Sequence, residues 1–213
     1  MLNEEYIDTN AGRLKILKLL GKGKSGYSYL AEIEGEKAVL KIMHDEPCDY
    51  YDFGSDKISL ELKDYQTLCD AGINIPKLIH SDSEKQLLVK EYIPGTTADQ
   101  YIAEGRNVEF LLPGLFKAAS QSRNSGINID FFPTNFVWNE TNLFYIDYEV
   151  NPYDAKWDLE NWGIFYWANA AGMKRFLKTG DASAINVDPG KGIPIKDPFK
   201  KQISDWVQRY KNI

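Results

Sequence analysis

The hydrophobic repeat of this chain changes period once, at Pro94-Gly95-Thr96-Thr97. Before that point apolar and polar residues alternate in four short runs, RLKILKLL (13–20), YSYLAEIE (27–34), KAVLKIM (37–43) and QLLVKEYI (86–93). A repeat of two is that of β-strands. The interruption between the third and fourth runs, DKISLELKDYQTLCDAG, sets Ile58, Leu62, Tyr65, Leu68 and Cys69 at helical spacing and ends on Gly72, a stop signal. Beyond Thr97 the runs 109–122, 156–177 and 197–210 carry apolar residues at helical spacing. The last is expected to open with Asp197 as cap and Pro198 at the first helical position. FVWNETNLFYID (136–147) is the exception, two brief apolar runs around a polar turn, which predicts a hairpin. The pattern predicts an α+β fold: an antiparallel sheet with one helix over residues 1–93, then a mainly helical region over 94–213.

With 213 residues, 43% hydrophobic and 13% aromatic, the chain has enough large side chains for a sizeable core. Its net charge of -6 excludes a generally basic surface that would track a nucleic-acid backbone. From Lys174 to Ile213 nine Lys and Arg stand against four Asp and Glu, a balance of +5 that leaves -11 elsewhere, and these charges read as solvated helix faces. Cys48 and Cys69 form no CxxC pair and have no His at metal-ligand spacing, so neither a disulfide framework nor a zinc site is indicated. The acidic first residues contain no apolar core of a signal peptide, and no stretch is long enough to span a membrane. A cytoplasmic protein is expected.

LGKGKSGYSYL holds Gly21, Gly23 and Gly26 in a GxGxxG pattern common to many glycine-rich turns. A dinucleotide-binding turn requires a helix directly after it, whereas this one runs into a strand. Strand, glycine turn and strand make a hairpin whose tip leaves backbone N–H groups free to lie over a polyphosphate. In the next strand Lys41 points away from Ala38, Leu40 and Ile42, and a lone strand lysine is ordinarily solvated. Glu61, twenty residues on, adjoins the apolar stripe of its helix and could face the sheet. Further on, GINIDFFPTNFVWN sets Asp130 and Asn135 in a run otherwise apolar or aromatic, and YIDYE supplies Asp147 at the end of the expected hairpin.

In that order these elements resemble the protein kinase-like superfamily, over roughly residues 14–170. The resemblance implies a bilobal fold, with an ATP-binding lobe over 1–93 and a minimal helical lobe carrying the catalytic loop over 94–213. It further implies that Gly21, Gly23 and Gly26 cover ATP, that Lys41 contacts its phosphates and that Glu61 orients Lys41. Backbone groups near Glu91 to Ile93 would receive the adenine. Asp130 would serve as catalytic base or orienter of the attacking hydroxyl, with Asn135 and Asp147 as Mg²⁺ ligands. YIDYEVNPYDAKWDLENWGIFYW is similar to the corresponding stretch of choline kinases and aminoglycoside phosphotransferases, where Asp158 would brace the catalytic loop; the alternative is an Asp in the first turn of a helix. Trp157, Trp162, Phe165 and Trp167 read as core.

Two features depart from the pattern. Asn128 stands where the superfamily usually has a His before the catalytic Asp, and the ten residues between Asp147 and Asp158 leave no room for a peptide-binding activation loop. The short region from Glu91 to Asp130 makes the second lobe minimal, as in Rio-type and other atypical kinases. The expected function is ATP- and Mg²⁺-dependent phosphoryl transfer to a hydroxyl, of a small alcohol or of a protein Ser or Thr, with no membrane or nucleic-acid partner. The alternatives are a nucleotide-binding regulatory pseudokinase, motivated by Asn128, and an α+β interaction module that binds no nucleotide.

Overall fold

The computed structural model describes residues 5–46 and 57–212; Cys48, and Asp56 at the start of the expected helical run, lie outside them. The chain divides into two compact units, Met1–Gln66 with Pro76–Ile93, and Thr67–Ile75 with Pro94–Ile213. Among the described residues no helix is long and apolar enough to cross a membrane.

The alternating runs of the first unit become an antiparallel sheet of β1 (Tyr6–Thr9), β2 (Gly12–Lys22), β3 (Gly26–Ile33), β4 (Glu36–Met43), β5 (Leu78–Asp82) and β6 (Leu87–Glu91), in the order β1-β2-β3-β4-β6-β5. β3 and β4 are joined by Glu34 and Gly35, both at positive φ, in the two-residue turn whose twist suits a hairpin. One face of the sheet buries Leu14, Tyr29, Ala31, Leu40 and Val89 as one cluster. The other buries Met43 and Leu88 against Ile58 of α1 (Lys57–Asp70), with Leu62 and Leu78 packed beside them. β6 is apolar on both faces for that reason. The same parity sends Lys41 to the α1 face, because it lies two residues from Met43 and pairs across the ladder with Leu88.

α1 ends as its sequence predicts. Gly72 sits at φ +74, Gly72 N–H donates to Cys69 O at 2.9 Å and Ile73 N–H donates to Leu68 O at 3.1 Å. The predicted stripe is correct at Ile58 and Leu68, which are fully buried, but not at Cys69, which is exposed in the last turn.

The second unit opens with β7 (Thr96–Thr97), α2 (Ala98–Ala103), a 3₁₀ turn over Glu109–Leu111 and α3 (Leu112–Asn124). β8 (Ile127–Ile129), a 3₁₀ turn over Pro133–Asn135, β9 (Phe136–Trp138), β10 (Leu143–Tyr145) and β11 (Val150–Pro152) follow. The expected hairpin is present, with Leu143 opposite Trp138 and Tyr145 opposite Phe136. Asn139 organises its turn by accepting the N–H groups of Thr141 and Asn142.

The long helical run predicted over 156–177 is divided. A π-helical turn over Leu159–Gly163 leads into α4 (Ile164–Ala168), and α5 (Ala170–Thr179) starts afresh. Asn169 makes the break by leaving the helical region, at φ -93 and ψ 69, and capping α5 through the Gly172 N–H. A short ribbon, β12 (Asn186–Asp188) and β13 (Ile193–Pro194), precedes α6 (Lys200–Tyr210). α6 begins after the predicted start, because Asp197 to Phe199 are spent in a turn closed by Phe199 N–H on Lys196 O at 2.9 Å.

Candidate active site

In the first unit the glycine motif is the hairpin between β2 and β3. Gly21 pairs with Ser28 and Lys22 with Tyr27, and Gly23 N–H donates to Gly26 O at 2.8 Å. The glycines are there for different reasons. A Cβ on Gly26 would lie 2.7 Å from Ile42 O, so that residue is required by packing on β4. A Cβ on Gly21 would meet no atom within 4 Å, and one on Gly23 only Gly26 O at 3.6 Å, so the fold itself makes no steric demand there.

Two residues that sequence reasoning missed hold this tip from beyond the end of β4. His44 N–H donates to Ser25 O at 3.0 Å, and its ring contacts Gly23 O through Nε2 at 3.2 Å. Because Nδ1 accepts the Glu46 N–H, the ring proton belongs on Nε2, where it can donate to Gly23 O. The Glu46 carboxylate receives both Lys22 Nζ and the Tyr27 hydroxyl. The Lys22 hydrogen bond, followed by that from Tyr27, lowers the Glu46 pKa to about 2.

Lys41 and Glu61 are brought together. Their side chains are only 8% and 12% exposed, and Lys41 Nζ donates to Glu61 Oε1. Ser25, in the glycine tip, reaches the same oxygen at 3.3 Å. Glu61 Oε2 is buried and has no hydrogen-bond partner among the described residues. A carboxylate so placed holds an ammonium in one position and limits its solvation, which suits a lysine that must meet an anion. At the end of β6 the Glu91 side chain accepts the Lys77 N–H at 3.1 Å and its own N–H donates to Lys77 O, so that side chain belongs to the β5 edge. Ile93 is buried, and its N–H bonds no backbone carbonyl among the described residues.

In the second unit the buried strand β8 delivers Asp130 to a loop locked by its own polar groups. Asp130 Oδ1 accepts the Phe132 N–H at 3.0 Å, Asn135 Nδ2 donates to Asp130 O at 3.3 Å, and Asn135 N–H donates to Phe132 O at 3.0 Å. Asn135 O accepts the Ile146 N–H at 2.8 Å, which sets Asp147 beside the loop. Asp147 Oδ1 in turn accepts the Tyr148 N–H. Asp130 and Asn135 are therefore joined by a hydrogen bond, and Asp147 directly follows the residue whose N–H is bound by Asn135 O.

The loop is braced by aromatic groups. Trp167 Nε1–H donates to Phe131 O at 2.9 Å, and Phe131 and Trp167 are each 1% exposed. A Cβ on Gly163 would lie 2.3 Å from the Phe131 Cβ, so α4 can approach only through a glycine. The Tyr145 hydroxyl donates to Glu149 O and receives the Asp130 N–H at 3.4 Å. Burial raises the Tyr145 pKa well above the usual phenol value, and the charges of Asp147, Asp130 and Glu149 raise it further. The Tyr166 pKa is raised too, by burial and then by Asp130.

Asn128 is 5% exposed and donates from Nδ2 to Asp154 O at 2.8 Å, tying β8 to the segment beyond β11. Asp158 does not take the bracing role that the resemblance implies. It accepts the Asn161 N–H at 2.8 Å and the Tyr153 hydroxyl at 3.2 Å and lies 3.6 Å from Arg123, which makes it a helix cap, with Trp167 and Gly163 supporting the loop instead.

Among the described residues no cluster of three or more His, Cys, Asp or Glu side chains is arranged to hold a metal. The Asn135 amide oxygen and the Asp147 carboxylate are hard oxygen donors. That set fits Mg²⁺, which takes few protein ligands and completes its shell with water and phosphate oxygens.

No protein-family model and no curated protein sequence matches this chain. Its structure matches the kinase domain of PknI from Mycobacterium tuberculosis, solved as a mutant, over 97% of this chain and 100% of that one, with a TM-score of 0.50 and 13% identity. The chain is a mixed α and β protein with a kinase-like fold.

Proposed function

We propose that this chain is a Mg²⁺-dependent phosphotransferase of the cytoplasm that moves the γ-phosphoryl group of a nucleoside triphosphate to a hydroxyl, on a small alcohol or on a protein Ser or Thr. ATP is the donor that the resemblance implies. The observation that carries the reading is the buried Lys41–Glu61 pair beside a glycine hairpin, because a lysine held this way is suited to grip an anion. Residues 1–93 serve as the nucleotide-binding lobe and 94–213 as the catalytic lobe.

In this reading Gly21, Gly23 and Gly26 let the hairpin backbone approach the phosphates. Lys41 binds them and Glu61 keeps Lys41 in place. The Glu91 carbonyl and the Ile93 N–H receive the base. Asp130 orients the acceptor hydroxyl and takes its proton as the new O–P bond forms and the bond to the nucleoside diphosphate breaks. Asn135 and Asp147 would hold the Mg²⁺, which supplies charge neutralisation to the phosphate oxygens when bound. Catalysis of this kind depends mostly on positioning and fixed charge, and the tightly bonded 130–135 loop is suited to both.

The test is transfer of label from γ-labelled ATP and GTP, with Mg²⁺, to a panel of alcohols and to protein. Transfer should be lost in Asp130→Asn while nucleotide binding, read as a thermal shift, persists. Binding without transfer to any acceptor would make the chain a nucleotide-binding pseudokinase. Absence of nucleotide binding would overturn the proposal altogether.

A further inference from the structure

Consecutive residues of α4 grip one peptide unit of the 130–135 loop from two sides. Trp167 Nε1–H donates to its carbonyl, Phe131 O, and the Tyr166 ring stands edge-on to Phe132, with centroids 4.9 Å apart and planes at 73°. The N–H of the same unit, on Phe132, holds Asp130 Oδ1. The two supports are backed differently. Trp167 lies in the core against Phe136. Tyr166 is backed through its buried hydroxyl, which donates to Asn186 Oδ1 at 2.7 Å and lies 3.0 Å from Gly192 O. Asn186 Nδ2 donates to Ala182 O at 3.1 Å, so the amide is held with its oxygen toward the tyrosine. Trp162 Nε1–H donates to Gly192 O at 2.8 Å, which seats the β12–β13 ribbon on the π-helical turn. Phe132, unlike Phe131, is only half-buried, and besides Tyr166 its ring meets Phe176 at 6.0 Å. A side chain so placed takes its position from these few neighbours.

We propose that Tyr166 and Asn186 are positioning residues for phosphoryl transfer, acting through Phe132 to set the orientation of the Asp130 carboxylate. A phenylalanine at position 166 would fill the same space, and what the hydroxyl adds is a fixed tilt of the ring against Phe132. That tilt matters because a group that takes a proton must meet the acceptor hydroxyl within hydrogen-bond reach, and a displacement of about 1 Å can cost a hundredfold in rate. The ribbon at 186–194, beyond the stretch that resembles the kinase-like superfamily, thereby gains a task. Both roles rest on the phosphotransferase reading, in which Asp130 orients the acceptor.

The experiment is steady-state turnover of γ-labelled ATP with Mg²⁺ by the full chain, over the panel of alcohols and protein with water included as an acceptor. Wild type, Tyr166→Phe, Asn186→Leu and the double variant are compared, each normalised to the molecules that bind ATP. Tyr166→Phe keeps the ring and removes the hydroxyl, while Asn186→Leu is of similar size and removes the acceptor. Each single variant should lower kcat about tenfold or more and leave KM for ATP within about twofold of the wild type. The double variant should be no slower than the slower single one, because both changes break the same hydrogen bond. A purely structural role would shrink the folded fraction and leave the normalised kcat alone. That result, a change confined to KM, or losses that multiply in the double variant would overturn the assignment and leave the phosphotransferase reading standing. No transfer by the wild type to any acceptor, water included, would overturn both. Tyr166→Phe and Asn186→Leu test the same bond from its two ends, so either decides the matter if the other does not fold.

Discussion

The candidate functional residues of the two units are held by different physics. In the first unit the functional contact joins two side chains, Lys41 and Glu61, of opposite charge in a nearly dry setting. In the second, Asp130, Asn135 and Asp147 are fixed by backbone hydrogen bonds and by the packing of Phe131 under Trp167 and Gly163. The first half should therefore respond to loss of charge and the second to loss of shape.

The largest expected effect is in the first half. Lys41→Met or Glu61→Leu alone removes one member of a buried ion pair and should cost about 3–5 kcal/mol in urea unfolding. The double variant should recover most of that loss. Additive losses in the double-mutant cycle would mean that the pair is not the electrostatic unit described here. On the other side, Gly163→Ala drives a methyl group into Phe131 and should cost about 1–3 kcal/mol, with turnover falling because Phe131 adjoins Asp130. Trp167→Phe keeps most of the ring and leaves Phe131 O buried without its donor, for a loss in the range of about 1–3 kcal/mol by the same measurement. An unchanged unfolding midpoint in both variants would break the contrast. Asn128→Ala removes the bond to Asp154 O and should cost about 1 kcal/mol in a thermal melt.

The smallest effect is one of pH. Glu46 is bound by Lys22 and Tyr27 and has its pKa lowered from 4.5 to about 2. A carboxylate depressed in the folded state contributes stability that is present above its unfolded pKa and lost as pH falls through the folded one. The stability difference between wild type and Glu46→Gln should thus be constant above about pH 5 and shrink as the solution is acidified below about pH 4. Because Glu46 is exposed, salt should reduce the difference as well.

Much of the first half was legible in the sequence. Strand period located β2, β3, β4 and β6, and the helical stripe of α1 put Glu61 beside Ile58 and Leu62, hence toward the sheet that carries Lys41. The glycine pattern followed by alternation identified a hairpin. The support for that hairpin was not legible, since His44 and Glu46 follow a strand as any loop residues might and their partners lie about twenty positions earlier. In the second half the β9–β10 hairpin could be read from its turn. Trp167 read only as core, and nothing local reveals that its N–H answers a carbonyl 36 residues away. For Asp158 the sequence left two readings, loop brace and first-turn helix residue, and the side chain caps a helix by accepting the Asn161 N–H, a choice of partner that leaves no periodic trace. The Asn169 break was hidden by an apolar repeat that carries on through it.

The three glycines of the β2–β3 hairpin give an unequal set of handles on this protein. Alanine at position 26 would collide with the neighbouring strand and report on folding, whereas a methyl group at 21 points into open space and one at 23 makes only an ordinary contact with Gly26 O. A change at either of those two positions should be silent in the ligand-free chain and be felt only by whatever molecule comes to lie along the hairpin.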